Sequence, residues 1–332
     1  MKRSTIRNKP LAVISLTLDK KVHNQVKAII KSRPALLKRF DIKISGSPSE
    51  LAKWIAEAEV FCGFHLKDEH YNQASNLRWI HLASAGVDGT LPPEAFKSRV
   101  RITCSKGLHV SAMAETAMGM IITLAKNLRV ARDYQIQRRW DFHGVGDNIF
   151  SLEDKTLGIV GAGRIGKAIA GRARCFKIRV IGVNRSGRRV VGFEKIRSIN
   201  YLPWLLKQSD IVILTIPLTK QTNNLIGARQ FALMKKGSYF INIARGAIVD
   251  QQALVDALKN RHIAGAALDV FTVEPLPEDS SLWGMQNVII TPHIGGMMPD
   301  LYQKIIHLFL NNLERYIAGK KLYGIVNKKK GY

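Results

Sequence analysis

Short apolar runs alternate with stretches of helical periodicity along nearly the whole chain. Leu11–Leu16, Asp41–Ile44, Val60–Phe64, Trp79–Ala83 and Arg101–Thr103 read as strands, and Val22–Lys31, Ser49–Glu57 and Glu69–Ala74 as helices between them. From Ser111 to about Arg139, Met113, Ala117, Met120, Ile121, Leu124 and Leu128 recur at helical spacing, which predicts one long helix. Beyond Gly144–Asn148 the alternation resumes. Leu157–Val160, Ile211–Thr215, Ser238–Ile243, Ala264–Leu268 and Val288–Ile290 are strands, with helices near Leu202–Lys207, Gln230–Met234 and Gln251–Leu258 and a last one at about Asp300–Ala318. Such alternation predicts parallel sheets covered by helices on both faces.

The most informative stretch is Thr156–Ser186. An apolar strand runs into Gly161, Gly163 and Gly166, spaced G-x-G-x-x-G, at the mouth of a helix with Ile165, Ile169 and Ala173 on one face; a second strand follows. In this setting Gly161 makes the tight turn, Gly163 lets a pyrophosphate approach the backbone and Gly166 lets helix and strand pack closely. Arg164 and Ile165 open the helix whose N-terminus holds the anion. The second strand ends in Asn184 where NAD-binding units usually carry an acidic residue, with Arg185, Ser186, Arg188 and Arg189 behind it. A carboxylate repels a ribose 2′-phosphate; a neutral Asn184 with the Arg185 guanidinium and the Ser186 hydroxyl favours it. NADP(H) is therefore the expected cofactor, with NAD(H) also possible. The alternative is that these arginines form a solvated loop.

Composition narrows the class. The 332 residues, 46% hydrophobic, are enough for two globular domains. The formal net charge of +26 invites a nucleic-acid reading, but the excess is spread: +10 over residues 1–109, +11 over 110–296 and +5 over 297–332. The run Lys328–Lys330 falls at a terminus expected to be mobile. No nucleic-acid-binding motif accompanies the charge, so no specific nucleic-acid partner is expected. Cys62, Cys104 and Cys175 are odd in number and far apart, which fits buried thiols in a reducing compartment and no metal site. The basic N-terminus followed by an apolar stretch has a signal-like look, but Asp19 and the lack of a small-residue cleavage site favour a first strand behind a basic tail. With no membrane-length apolar run, a soluble cytoplasmic protein is expected.

Three strand ends carry candidate chemistry, because ligands of parallel α/β sheets bind beyond the carboxyl ends of the strands. Arg245 lies in INIARGAIVD, Glu274 in ALDVFTVEPLPED and His293 in ITPHIGG. Earlier in the chain, SAGVD at Ser84–Asp88 offers small residues whose amides form either an anion nest or a plain turn.

With these pieces in hand the chain resembles the D-isomer-specific 2-hydroxyacid dehydrogenase family over nearly its whole length. The resemblance rests on SAGVD, Ala114–Glu115, GAGRIG at Gly161–Gly166, ARG at Ala244–Gly246, DVFxxEPLP at Asp269–Pro277 and PHIGG at Pro292–Gly296, in the family's order. It implies a carboxylate-binding Arg245, an acid–base His293 and an orienting Glu274. It also implies substrate contacts from the amides of Ala85, Gly86 and Val87, and cofactor contacts from Thr215, Pro217, Ala244, Asp269, His293 and Gly295. The implied fold is α/β, two Rossmann-like doubly wound parallel-sheet domains with a cleft between them. Residues 1–109 with 297–332 would form a flavodoxin-like substrate-binding domain, and 110–296 the dinucleotide-binding domain. A homodimer built on the long helix after Ser111 is implied as well. Asn184 departs from the family's frequent acidic residue. Met297 and Met298 are bulkier than expected and could reshape the substrate pocket or dimer contact.

The expected reaction is reduction of a small 2-oxo acid such as glyoxylate or hydroxypyruvate. Hydride reaches the carbonyl carbon while charge grows on the oxygen; histidine is suited to supply the proton, and arginine grips the carboxylate and the developing oxyanion. Glu274, bonded to the imidazole, would lock its tautomer. Two other readings stay open: a 3-phosphoglycerate dehydrogenase, which the basic surface suits, and a non-catalytic dinucleotide-sensing corepressor.

Overall fold

The computed structural model describes residues 9–329 and 331. The basic residues at the start of the chain and Lys330 lie outside that range. The described chain divides into two compact units: one from the N-terminal segment through Leu108 together with Met298 onward, the other His109–Met297.

The first unit holds a five-stranded parallel sheet of β1 (Leu11–Ser15), β2 (Asp41–Ile44), β3 (Ala58–Gly63), β4 (Trp79–Leu82) and β5 (Arg101–Cys104), in the order β2-β1-β3-β4-β5. The signal-like apolar stretch is thus β1. Helices start where polar side chains can satisfy free backbone amides: Asp19 accepts from Lys21 N at the head of Lys20–Lys31, and Ser47 from Glu50 N ahead of Pro48–Ile55. The C-terminal helix Leu301–Ile317 returns to cover one face, burying Ile306, Phe309, Leu310 and Leu313 among Ala12, Ile14, Val60 and Trp79. Lys328 is not on a loose tail. Its ammonium donates to the carbonyls of Ala95 and Ser98 at 3.0 and 2.9 Å.

The second unit holds a seven-stranded sheet: β6 (Thr156–Val160), β7 (Arg179–Asn184), β8 (Lys195–Ser198), β9 (Ile211–Leu214), β10 (Ser238–Asn242), β11 (Ile263–Leu268) and β12 (Val288–Ile290). The order is β12-β11-β10-β9-β6-β7-β8, every pair parallel. β6 and β9 are buried along their full length, as strands covered on both faces must be. From β6 the chain winds outward through β7 and β8, then crosses back to β9. The resulting switch point, between β6 and β9, is where doubly wound sheets bind ligands.

Three expectations change. The predicted long helix is two: Val110–Ala125 and Leu128–Ile136, separated by Asn127 at φ +50°. Asparagine tolerates the left-handed conformation that ends a helix, so periodicity alone ran through a real break. The edge strand β8 was not anticipated, since its sequence KIRS is short and basic. Cys62 and Cys104 are buried, but Cys175, at the end of helix Arg164–Arg174, is exposed. Met298 packs with Ala83, Leu301 and Ile305 in the first unit, whereas Met297 is largely exposed. Among the described residues no helix is long and apolar enough to cross a membrane, and no group of three or more His, Cys, Asp or Glu could hold a metal.

Candidate active site

Gly161 follows β6 at φ +111°, and a Cβ there would lie 2.6 Å from Ile216 Cγ2 and 2.8 Å from Ile216 N, so only glycine fits. The turn is braced from β9's end: Thr215 Oγ1 donates to Gly161 O at 2.7 Å. Gly166 lies so close to the turn that a Cβ would meet Gly161 O at 2.6 Å. Gly163 caps Arg164–Arg174 and is different. A Cβ there would meet nothing nearer than 3.9 Å, so the space above the helix N-terminus is open on the side where a pyrophosphate would sit. This combination fits a dinucleotide.

At the end of β7 the Asn184 carboxamide is fully engaged within its own turn. Oδ1 accepts from Ser186 N and Gly187 N at 3.2 and 2.7 Å, and Nδ2 donates to Arg188 O at 2.8 Å. Arg185, Ser186, Arg188 and Arg189 are exposed on the loop it shapes.

Arg245, Glu274 and His293 follow β10, β11 and β12, which are neighbours in the sheet. Buried Asn242, the last residue of β10, clips the Arg245 turn from both sides, donating to Arg245 O at 2.9 Å and accepting from Ala244 N at 3.0 Å. The next residue, Gly246, lies directly against the Phe271–Thr272 backbone: a Cβ would fall 1.9 Å from Phe271 C. Phe271 N in turn donates to Glu274 Oε1 at 2.9 Å, and Glu274 Oε2 lies 2.7 Å from His293 Nδ1. The imidazole is half exposed.

His293 takes the left-handed backbone conformation, φ +54°, unusual for a residue with a Cβ. Buried Asp269 sustains it. Its main-chain carbonyl accepts from His293 N at 2.9 Å, and its carboxylate accepts from Thr291 Oγ1 (2.6 Å), Ile294 N and Gly295 N (both 2.9 Å). Thr116 Oγ1 and His109 Nδ1 donate to the carbonyls of Gly295 and Gly296 at 3.1 and 3.0 Å. Sequence reading missed Asn242, Thr116 and His109; the position of Asn242 at a strand end was the one usable signal.

In the first unit, Ser84–Asp88 follows β4. Ser84 Oγ donates to Gly86 O at 2.6 Å, and Thr90 Oγ1 to Val87 O at 2.8 Å. The Val87 side chain is in the core while Ala85 is exposed.

A family model described as "D-isomer specific 2-hydroxyacid dehydrogenase, NAD binding domain" matches residues 118–295. The chain belongs to this family. As a D-isomer-specific 2-hydroxyacid dehydrogenase it is an NAD(P)-dependent oxidoreductase acting on a hydroxyl group. A glyoxylate reductase from Thermofilum pendens is 36% identical over 267 residues, 79% of this chain and 78% of the relative. Among solved structures, a D-isomer specific 2-hydroxyacid dehydrogenase family protein from Aeromonas salmonicida superposes with TM-score 0.84 at 29% identity, covering 96% of this dehydrogenase and all of that chain. A D-isomer specific 2-hydroxyacid dehydrogenase from Xanthobacter autotrophicus, in complex with NADPH and MES, gives TM-score 0.79 at 26% identity, with 98% and 99% of the two chains covered.

Proposed function

We propose that the protein reduces small 2-oxo acids of the glyoxylate and hydroxypyruvate type, with NADPH preferred over NADH as hydride donor. The observation that carries the reading is the Glu274–His293 pair at 2.7 Å, on the strand loops beside Arg245. The likeness to a glyoxylate reductase supports the substrate class.

In this reading Gly161, Gly163, Arg164, Ile165 and Gly166 hold the pyrophosphate, and Arg185 and Ser186 the 2′-phosphate. Thr215, Pro217, Ala244, Asp269, His293 and Gly295 line the nicotinamide end. The carboxylate of Asp269 also accepts three hydrogen bonds from Thr291, Ile294 and Gly295, so it positions the His293 loop as well. The bound dinucleotide supplies the hydride. Arg245 binds the substrate carboxylate with its planar guanidinium and offsets charge growing on the carbonyl oxygen. Glu274 holds Nδ1 of His293, which leaves Nε2 to deliver the proton to that oxygen. The amides of Ala85, Gly86 and Val87 bind the carboxylate as well.

A second copy of the chain is part of the same proposal. Ile136, Trp140 and Phe142 follow one another closely and are 65%, 99% and 77% exposed, an apolar surface better explained by a partner than by solvent.

The test is the initial rate of NADPH and NADH oxidation with glyoxylate, hydroxypyruvate, pyruvate and phenylpyruvate, with His293→Ala as control. NADPH turnover that disappears in the variant is expected. Tight NADPH binding with no turnover of any acid would defeat the substrate reading.

A further inference from the structure

The turn that follows β4 is held by a set of bonds that the reaction itself does not explain. Ser105 N donates to Ser84 O at 2.9 Å, Ser84 Oγ donates to Gly86 O at 2.6 Å, and Thr90 Oγ1 donates to Val87 O at 2.8 Å. In a trans peptide the carbonyl and the following N–H point in opposite directions, so fixing a carbonyl also aims the next amide. Anchoring Ser84 O aims Ala85 N–H, and anchoring Gly86 O aims Val87 N–H. Among the described residues, the amides of Ala85, Gly86 and Val87 donate to no other protein group. The Val87 side chain is buried in the core, and Thr90, itself buried with its carbonyl accepting from Leu66 N at 3.0 Å, fixes the exit of the turn. The Ser84, Gly86 and Val87 carbonyls are thus held from within the protein, the last two by hydroxyls, while the amides of Ala85, Gly86 and Val87 are left to a ligand, an arrangement that suits an anion.

We propose that Ser84 and Thr90 are positioning residues for 2-oxo acid reduction: the Ser84 hydroxyl holds the Gly86 carbonyl and so aims the Val87 amide at the substrate carboxylate, and the Thr90 hydroxyl holds the Val87 carbonyl and so fixes the other side of the same residue. This rests on the proposed 2-oxo acid reading. Neither hydroxyl touches the reacting atoms, so the effect belongs to substrate affinity and not to the chemical step.

The experiment uses the full chain with Ser84→Ala, Ser84→Thr and Thr90→Val, the last two being close in shape to the originals. Steady-state kinetics with glyoxylate and NADPH, and inhibition by oxamate as a carboxylate probe, are measured for each, with thermal melting alongside. For Ser84→Ala and Thr90→Val the expected result is a rise of about tenfold in KM for glyoxylate and in Ki for oxamate, with kcat and KM for NADPH within about twofold of the original. Ser84→Thr, which retains the hydroxyl, returns both constants toward the original. Unchanged KM and Ki in Ser84→Ala and Thr90→Val would overturn the proposal, as would a loss in kcat and NADPH affinity as large as that in KM. A parent protein that turns over none of the 2-oxo acids fails at the earlier step and overturns the functional reading together with this one. An active parent with unaffected variants overturns the positioning role alone.

Discussion

Glu274 Oε2 lies 2.7 Å from His293 Nδ1, and the same carboxylate is held at its other oxygen by Phe271 N. The pair is therefore fixed from the protein side, and one nitrogen of the ring is committed before any substrate arrives. Replacing His293 by alanine removes the proposed proton donor and is expected to lower kcat for glyoxylate reduction by about 10²- to 10⁴-fold. Glu274→Gln keeps a hydrogen-bonding group but not the charge, and a smaller loss, about tenfold or more, is expected. Stopped-flow measurement of NADPH oxidation distinguishes the two; a Glu274→Gln enzyme as fast as the parent would show that the carboxylate is not needed.

The engagement of Asn184 in its own turn moves the cofactor argument from that residue to its neighbours. Arg185→Ala is expected to raise KM for NADPH by about 10- to 100-fold, the loss of one charge-assisted contact, while KM for NADH stays within about threefold. Asn184→Asp still accepts from Ser186 and Gly187 but sets a carboxylate oxygen against Arg188 O, where Nδ2 now donates. It too should favour NADH. Equal effects of Arg185→Ala on both dinucleotides would remove the 2′-phosphate from the account.

How much of this was legible in the chain depends on whether the signal was local. The glycine turn was, because Gly161, Gly163 and Gly166 each answer a constraint imposed within a few residues. The places of Arg245, Glu274 and His293 beyond strand ends were, because each follows an apolar run whose end can be seen. What could not be read is whatever depends on packing across distance. Asn242 looks like any polar residue closing a strand until its amide is found on both sides of the Arg245 turn, and nothing in the sequence around Asp269 shows that its carboxylate holds the His293 loop. The break at Asn127 hid inside an unbroken apolar period, since a single left-handed residue leaves no trace in periodicity.

The exposed cluster after that break gives the third prediction. Trp140→Glu and Ile136→Glu each place a charge where a second copy would bury an apolar side chain, and desolvating that charge opposes association. Light scattering should report a dimer for the parent and a shift toward monomer for either variant. A monomeric parent would rule out the second copy.

The last prediction concerns His81, which is fully buried in the first unit. Its Nδ1 lies 2.7 Å from Thr103 Oγ1, the same oxygen that accepts from Trp79 Nε1 at 2.9 Å, and Phe309 packs beside the ring. No acid faces it within this set of contacts, and burial lowers its pKa from the ordinary 6.5 to about 3. The unfolded chain therefore takes up a proton as pH falls below about 6.5, while the folded unit resists until about 3. Stability from this group is complete above the upper value and is lost as pH falls across the window, by up to about 1.4 kcal/mol per pH unit. Urea unfolding of the parent and of His81→Gln between pH 7 and 4 isolates the effect, because the other titrating groups are common to both. The variant is expected to start less stable at pH 7 and to lose less on acidification, so the two curves converge; parallel curves would mean that His81 takes up its proton in the folded state as readily as in the unfolded one.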